Sequence, residues 1–272
     1  MVLQKAALLA NRKRWDRLVP FHMRSRMYGV DKFKAGKSSL GPIELEEVGD
    51  PRGKSLLHLQ CHFGMDTLSW ARLGANVTGV DYSREAIRAA VELSKELGVP
   101  ARFVCSDIYD LPSRLKGKFD IVYTSHGILC WLPDLARWGK IIARYLRPGG
   151  TFYILEGHPL AFLLSQDSPK PFLRIRESYF AKDQPARYLV RGSYADGASS
   201  LKMEAFEWQH PLSEVVSALA GAGLRIEYLH EFPFDSWHQF SWQVKRKDGY
   251  WHPRDRRFSI PLMFSIRATR PA

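Results

Sequence analysis

Cysteine is scarce: the 272 residues contain three, at Cys61, Cys105 and Cys130, with no Cys-x-x-Cys pair among them. So odd and scattered a set argues against a disulfide framework and a structural zinc site, and leaves buried free thiols. No apolar run approaches the roughly 20 residues needed to span a bilayer. At the N-terminus, Lys5, Arg12, Lys13 and Arg14 interrupt an apolar patch too short for a secretory signal. The expectation is cytoplasmic residence with no membrane partner. Acid is in deficit too, with 40 Lys+Arg against 28 Asp+Glu and a net charge of +12. The basic residues fall in modest clusters at 12–17, 24–37, 245–247 and 254–257, without a basic tail or an RNA-binding signature. The charge therefore reads as a solvated surface ahead of a nucleic-acid footprint, with an acidic small substrate between the two. No repeat or low-complexity segment is visible.

What is present is a strand, loop, helix and second strand over residues 55–87. Leu56, Leu57 and Leu59 make a short apolar strand; residues 60–64 form a tight turn. Residues 67–73 follow as a helix with Leu68 and Ala71 inward, and 76–80 as a β-branched strand that stops at Asp81. In a doubly wound sheet the carboxyl ends of adjacent strands line a ligand crevice. An acid about 20 residues past the first loop can there accept hydrogen bonds from both ribose hydroxyls.

Three further segments follow at βαβ spacing: Phe103-Val104-Cys105-Ser106-Asp107-Ile108, residues 119–125 ending in Thr124-Ser125, and Leu146-Arg147-Pro148-Gly149-Gly150 leading into an apolar strand. Together the four segments resemble the class I S-adenosylmethionine (SAM)-dependent methyltransferases from about residue 54 to residue 159, in that family's motif order. The chain is similar in particular to a bacterial small-molecule subgroup with a His-Leu-Gln-Cys-His first motif. The resemblance implies a Rossmann-like, mostly parallel seven-stranded sheet, SAM as cofactor and S-adenosylhomocysteine as product. It implies that Asp81 contacts the ribose and Asp107 the adenine amine, with Tyr82 and Ile108 beside the two adenine faces. Ser125 ends the strand that lies beside the transferred methyl.

The first loop departs from the family, which has an acidic residue and then Gly-x-Gly-x-Gly where this chain has His58-Leu59-Gln60-Cys61-His62-Phe63-Gly64. Gly64 alone of the three glycines remains. Glycine lets the backbone approach a ligand and take positive φ, so Gln60 and His62 must either accept that turn or fill space.

Residues 1–50 read as a helical arm, punctuated by Pro20 and Gly29, that folds over the pocket; Trp15, His22 and Tyr28 are its candidate substrate-facing residues. For each singly, packing against the sheet is the stronger reading. Residues 51–159 form the SAM-binding core. Within it Ser83 and Gly98 bound a helix over 84–97, and Pro133 and Asp134 open another. Residues 160–207 break the alternation with Pro169, Pro171 and Pro185, and read as an inserted antiparallel lid that selects substrate. Residues 208–272 complete the sheet with a helix near 211–222 and two strands.

Methyl transfer from a sulfonium is an in-line displacement that needs alignment, exclusion of water and sometimes a base. Histidine is the usual base near neutral pH. His126, directly after the fourth strand, is the first candidate, and His158, after the fifth, the second; a structural role is as strong for either. His210 borders the lid as a candidate substrate residue, though helix entry suits it better, and His62 belongs to the cofactor loop. Asp66 and Thr67 begin the first helix and read as its caps ahead of a role toward the cofactor's amino group. Trp131 is core or an aromatic wall for a sulfonium. No Asn/Asp-Pro-Pro-Tyr/Phe or Pro-Cys motif follows the fourth strand, which argues against base methylation, and no acidic cluster suggests a metal. The leading expectation is methyl transfer to an O, N, S or C atom of a small molecule. An RNA or protein methyltransferase, and a SAM-binding protein that does not transfer methyl, stay open, as does a homodimer.

Overall fold

The computed structural model describes residues 2–164, 175, 177–180, 184–195, 201–255, 257 and 259–272. Much of the inserted segment, including Pro169 and Pro171, lies outside the described residues. The elements, in chain order, are α1 (Val2–Arg24), α2 (Val30–Lys34), α3 (Pro42–Val48), β1 (Ser55–Leu59), α4 (Met65–Arg72), β2 (Asn76–Asp81), α5 (Arg84–Leu97) and β3 (Arg102–Cys105). Then come α6 (Leu111–Arg114), β4 (Phe119–Ser125), α7 (Leu135–Tyr145), β5 (Leu146–Gly157), β6 (Ala186–Arg191) and β7 (Lys202–Glu207). The chain ends with α8 (Leu212–Gly221), β8 (Arg225–Phe232), β9 (Gln243–Lys245), β10 (Trp251–Pro253) and β11 (Met263–Thr269).

Seven strands form one sheet in the order β3-β2-β1-β4-β5-β11-β8. The pairs among β1 to β5 are parallel, and β11 runs antiparallel to both β5 and β8. This is the expected Rossmann-like, mostly parallel sheet, and the expected antiparallel insert is the separate hairpin of β6 and β7. Parallel strands need helical crossovers, and buried strands read as continuous apolar runs. In β4 the side chains of Ile121, Val122 and Tyr123 are buried without alternation.

Local chemistry places the helices. Ser83 Oγ accepts the Ala86 N–H at the start of α5, and Gly98 ends that helix in the left-handed region. Asp134 caps α7 through the Arg137 N–H. Where α7 crosses α8, a Cβ on Gly139 would lie 2.4 Å from the Ala218 carbonyl oxygen, so only glycine permits that approach. The main core gathers Leu57, Leu59, Val122, Trp138, Ile142 and Phe152 between the sheet and these helices.

The N-terminal arm differs from expectation in one respect: α1 continues through Pro20 to Arg24. Proline removes one backbone hydrogen bond, and the buried side chains of Leu18, Val19 and His22 hold the helix on both sides of it. Two polar clamps fix the arm. Asn11 brackets the main chain of Phe206 on β7, donating to its carbonyl at 2.7 Å and accepting from its N–H at 2.9 Å. The Asp16 carboxylate accepts from Ser83 Oγ at 2.6 Å. No helix among the described residues is long and apolar enough to cross a membrane.

Candidate functional site

Strand order reverses between β1 and β4, so the loops that leave their carboxyl ends diverge and open a crevice. Residues 60–64 border it on one side and residues 126–131 on the other. The two loops are tied together by Gln60 Nε2, which donates to the Ile128 carbonyl at 3.3 Å.

The first loop resolves the question that its missing glycines pose. Gln60 stands at φ 57° and His62 at φ 50°, and among the described residues they alone combine a side chain with positive φ. The backbone thus keeps the turn that glycine would adopt freely. Each such residue costs roughly 1–2 kcal/mol, and strain of this kind concentrates at functional sites. At His62 it is offset locally, because the His62 N–H donates to Asp81 Oδ2 at 2.8 Å. A hydrogen bond to a charged group contributes about 1.5–3 kcal/mol, enough to hold the turn. Gly64 keeps its own necessity: at φ 79°, an added Cβ would lie 2.8 Å from the Phe103 ring.

Asp81 sits at the tip of β2, 7% exposed. Its second oxygen accepts the Ser83 N–H at 2.8 Å. Burial pushes this carboxyl up to about 6, against the pull of the Ser83 and His62 amides. Asp107, at the end of β3, accepts the Tyr109 N–H at 2.8 Å, and burial raises it as well. Tyr82 carries a buried hydroxyl with no hydrogen-bond partner, and Gln60 Oε1 is likewise buried and unpartnered. Ile108 is placed in the main core, packed with Leu57 and Leu59. Ser125 Oγ donates to Asp66 Oδ2 at 2.9 Å, joining the end of β4 to the first turn of α4. Thr67 faces inward, its Oγ1 2.8 Å from His58 Nδ1.

The candidate histidines separate by what their nitrogens touch. His126 Nδ1 is buried without a partner, and Nε2 lies 3.5 Å from Ser236 Oγ. Burial pulls its imidazole below the ordinary value, with the fields of Glu156 and Asp66 opposing. At His158, Nδ1 accepts the Leu160 N–H at 3.1 Å, while the buried Nε2 faces Glu231 Oε1 at 2.9 Å in an ion-pair contact without hydrogen-bond geometry. His210 is also engaged twice, by the Leu132 carbonyl at 2.7 Å and by Glu214 Oε2 at 3.0 Å, and it ties α8 to the loop after β4.

Trp15, His22 and Tyr28 do come together over the first loop. His22 Nδ1 lies 2.8 Å from His62 Nε2, and His22 Nε2 lies 2.8 Å from Ser193 Oγ beyond the β6 hairpin strand. Tyr28 stacks on His22 and bonds Tyr194 through its hydroxyl. Trp15 meets His62 and Trp131 edge-on at 5.3 and 5.4 Å. Burial, and then the Arg14 charge, lower His22 to about 4. Arm, first loop and hairpin thus close on one another through an aromatic box.

Beyond β4 lies a cleft of about 90 Å³, lined by Cys130, Glu156, Tyr188, Glu207, Trp208 and His210 among others. A wider hollow near Lys116, Lys118 and Arg270 sits at the opposite, amino end of β4, away from these groups. Two residues of the site escaped the sequence reading. Glu156, 1% exposed, turns its carboxylate onto the N–H groups of Gly127, Ile128, Leu129 and Gly157 and so shapes the loop that carries His126. Its signal was an acid closing the apolar run Tyr153-Ile154-Leu155. Arg14, 5% exposed, is indistinguishable in sequence from its basic neighbours.

Residues 57–154 match the family described as a methyltransferase domain. A ubiquinone biosynthesis O-methyltransferase of Xanthomonas axonopodis pv. citri is 33% identical over 168 residues, 60% of this chain and 64% of that protein. One from Chromobacterium violaceum is 33% identical over 131 residues, 46% of this chain and 56% of that protein. The match thus spans less than two thirds of these curated relatives. Among solved structures, a SAM-dependent methyltransferase from Methanosarcina mazei superposes with TM-score 0.56 at 21% identity, covering 85% of this chain and 98% of that one. A glycopeptide N-methyltransferase complexed with SAM gives TM-score 0.55 at 17% identity, covering 92% and 99%. At these identities the likeness is one of fold.

Proposed function

We propose, from the match of residues 57–154 to a methyltransferase domain and the likeness of the fold to SAM-dependent methyltransferases, that the protein transfers the SAM methyl group to a nucleophilic atom of a small molecule. The observation that carries this reading is the Asp81 carboxylate at the tip of β2, beside a first loop held in left-handed turns by Gln60 and His62. The residues fit an adenosyl ligand: Gln60 Oε1 and the Tyr82 hydroxyl are buried polar atoms lacking partners at the strand ends, and such atoms call for a ligand or water. The O-methyltransferase relatives support a small-molecule acceptor.

When bound, SAM supplies an electrophilic methyl on a sulfonium. Asp81 would accept the ribose hydroxyls through its remaining lone pairs, and Asp107 the adenine amine. Tyr82 flanks the adenine, with Ile108 backing the site from the core. Gln60, His62, Gly64 and Ser125 enclose the methionyl end. His126 Nδ1 is the proton acceptor: burial keeps the imidazole neutral, and nothing else in the described residues occupies that nitrogen. His158 and His210 hold loops: His158 Nδ1 takes the Leu160 N–H and its Nε2 faces the Glu231 carboxylate, and both His210 nitrogens are engaged. Trp15, His22 and Tyr28 seal the site from water. Residues 1–50 act as arm, 51–159 as cofactor core, 160–207 as substrate lid and 208–272 as completion of the sheet. Three free thiols, Cys61, Cys105 and Cys130, support a reducing, cytoplasmic setting.

The test is incubation of the protein with SAM and a panel of phenols, amines and thiols, read by mass spectrometry. Formation of S-adenosylhomocysteine together with an acceptor heavier by one methylene supports methyl transfer. Tight SAM binding without either product across the panel would contradict it and favour a SAM-binding protein that does not transfer methyl.

A further inference from the structure

Arg14 is a buried cation without a counter-ion among the described residues. Its side chain is 5% exposed, its Nη1 is sealed from solvent with no hydrogen-bond partner, and it makes no ion pair among the described residues. The guanidinium lies 5.9 Å from the Trp15 ring and 5.8 Å from the Trp131 ring. Four titratable groups act on it: Glu207 most strongly, then Tyr194, Tyr82 and Cys130. Glu207, on β7, stands beyond ion-pair distance, and burial raises its carboxyl, with the Arg14 charge opposing. The Arg14 charge in turn reaches His22 and depresses it.

A guanidinium cannot shed its proton inside a protein, and an unpaired buried charge is costly unless something neutralises it. Its planar fork matches a carboxylate better than any other small anion short of phosphate. Location narrows the source. Cys130 and Glu207, two of the groups that act on the Arg14 charge, line the cleft beyond β4, and Trp131, whose ring the guanidinium approaches, follows Cys130, so the charge stands beside that cleft.

We propose that the acceptor carries a carboxylate and that Arg14 is its counter-ion. The inference rests on the methyl-transfer reading for the word acceptor, and on Arg14 alone for the word carboxylate. It turns the chain's general basic excess into one specific charge at the cleft.

Calorimetric titration of the full chain, loaded with S-adenosylhomocysteine, against benzoate, salicylate, protocatechuate, caffeate and indoleacetate, each paired with its primary amide, tests the proposal. At least one acid is expected to bind about tenfold tighter than its amide. In Arg14→Gln that preference should collapse to within about twofold, and in Arg14→Lys survive in part, while S-adenosylhomocysteine affinity changes by less than about threefold. Equal binding of every acid and its amide by the wild-type protein overturns the proposal without recourse to a variant, which covers the case of Arg14→Gln failing to fold. So does a preference that persists in Arg14→Gln, or a loss of S-adenosylhomocysteine affinity in its place, which would assign Arg14 to the cofactor's own carboxylate. Should the wild type bind no S-adenosylhomocysteine, the methyl-donor reading falls, and the same titration of the unloaded chain still reports whether acids are preferred.

Discussion

The backbone N–H of His62 donates to Asp81 Oδ2 at 2.8 Å, across from β2 to a residue held at φ 50°. One carboxylate therefore supports the strained first loop and, on the proposed function, is also the group that would grip the ribose. Loss of the charge should be felt in the ligand, because burial already favours the neutral carboxyl in the unliganded fold.

Asp81→Asn is expected to weaken S-adenosylhomocysteine binding by more than about tenfold, since a charged acceptor contributes about 1.5–3 kcal/mol. Calorimetry on the folded variant checks it, and unchanged affinity would remove Asp81 from the site.

The same group predicts a pH dependence. Burial sets the carboxyl at about 6 in the unliganded protein, above its ordinary 3.8. Between those values the folded state holds a proton that the unfolded chain has released, so this group's contribution to stability is present below the ordinary value and lost as pH rises through about 6. Ligand affinity has the opposite sign, because the ionised form accepts the hydroxyls. S-adenosylhomocysteine binding should strengthen from pH 5 to pH 7 in the wild type and show a flatter profile in Asp81→Asn. Titrations at both pH values decide it.

His126→Ala should lower kcat while leaving cofactor affinity nearly intact. Because burial pulls the His126 imidazole below its ordinary value of 6.5, the acid limb of the wild-type rate profile should fall below that pH. Equal turnover in the variant would mean that transfer proceeds without this base.

Glu156→Gln should destabilise the fold. The carboxylate accepts four backbone N–H groups in a site from which water is excluded, whereas an amide presents one acceptor oxygen and turns an NH₂ toward donors. A loss of about 2–4 kcal/mol is expected, lowering Tm by roughly 2–4 °C per kcal/mol in a chain of this size. An unaltered melting curve would show that the loop at 127–129 holds itself.

The latch of His22 to His62 and Ser193 should loosen in acid. Burial, with the Arg14 charge, lowers His22 to about 4, so the unfolded chain binds the proton first. The stability from this group is present above pH 6.5 and declines as pH falls from there toward 4. The Tm gap between wild type and His22→Gln should therefore narrow between pH 7.5 and pH 5; a constant gap would show that the latch does not depend on a neutral His22.

Local signals in the sequence were legible wherever one segment settles its own conformation. The Ser83 cap, the Gly98 stop and the acid at Asp81 all stand where the pattern of residues 55–98 puts them. Relations between distant segments were not. Asn11 mimics a strand neighbour for Phe206, 195 positions away, and no local periodicity encodes that. Pro20 reads as a stop in isolation, and only packing of the flanking Val19 and His22 carries the helix past it. Gln60 and His62 look like an argument against a tight turn until the Asp81 acceptor is seen to compensate one of them.

The most direct measurement is a crystal structure of the protein with S-adenosylhomocysteine, read at one distance. The account predicts both ribose hydroxyls within hydrogen-bonding reach of the Asp81 carboxylate, about 2.5–3.0 Å. A ribose bound away from β2, or a site in which the Gln60 and His62 side chains fill the adenosyl position, would contradict it.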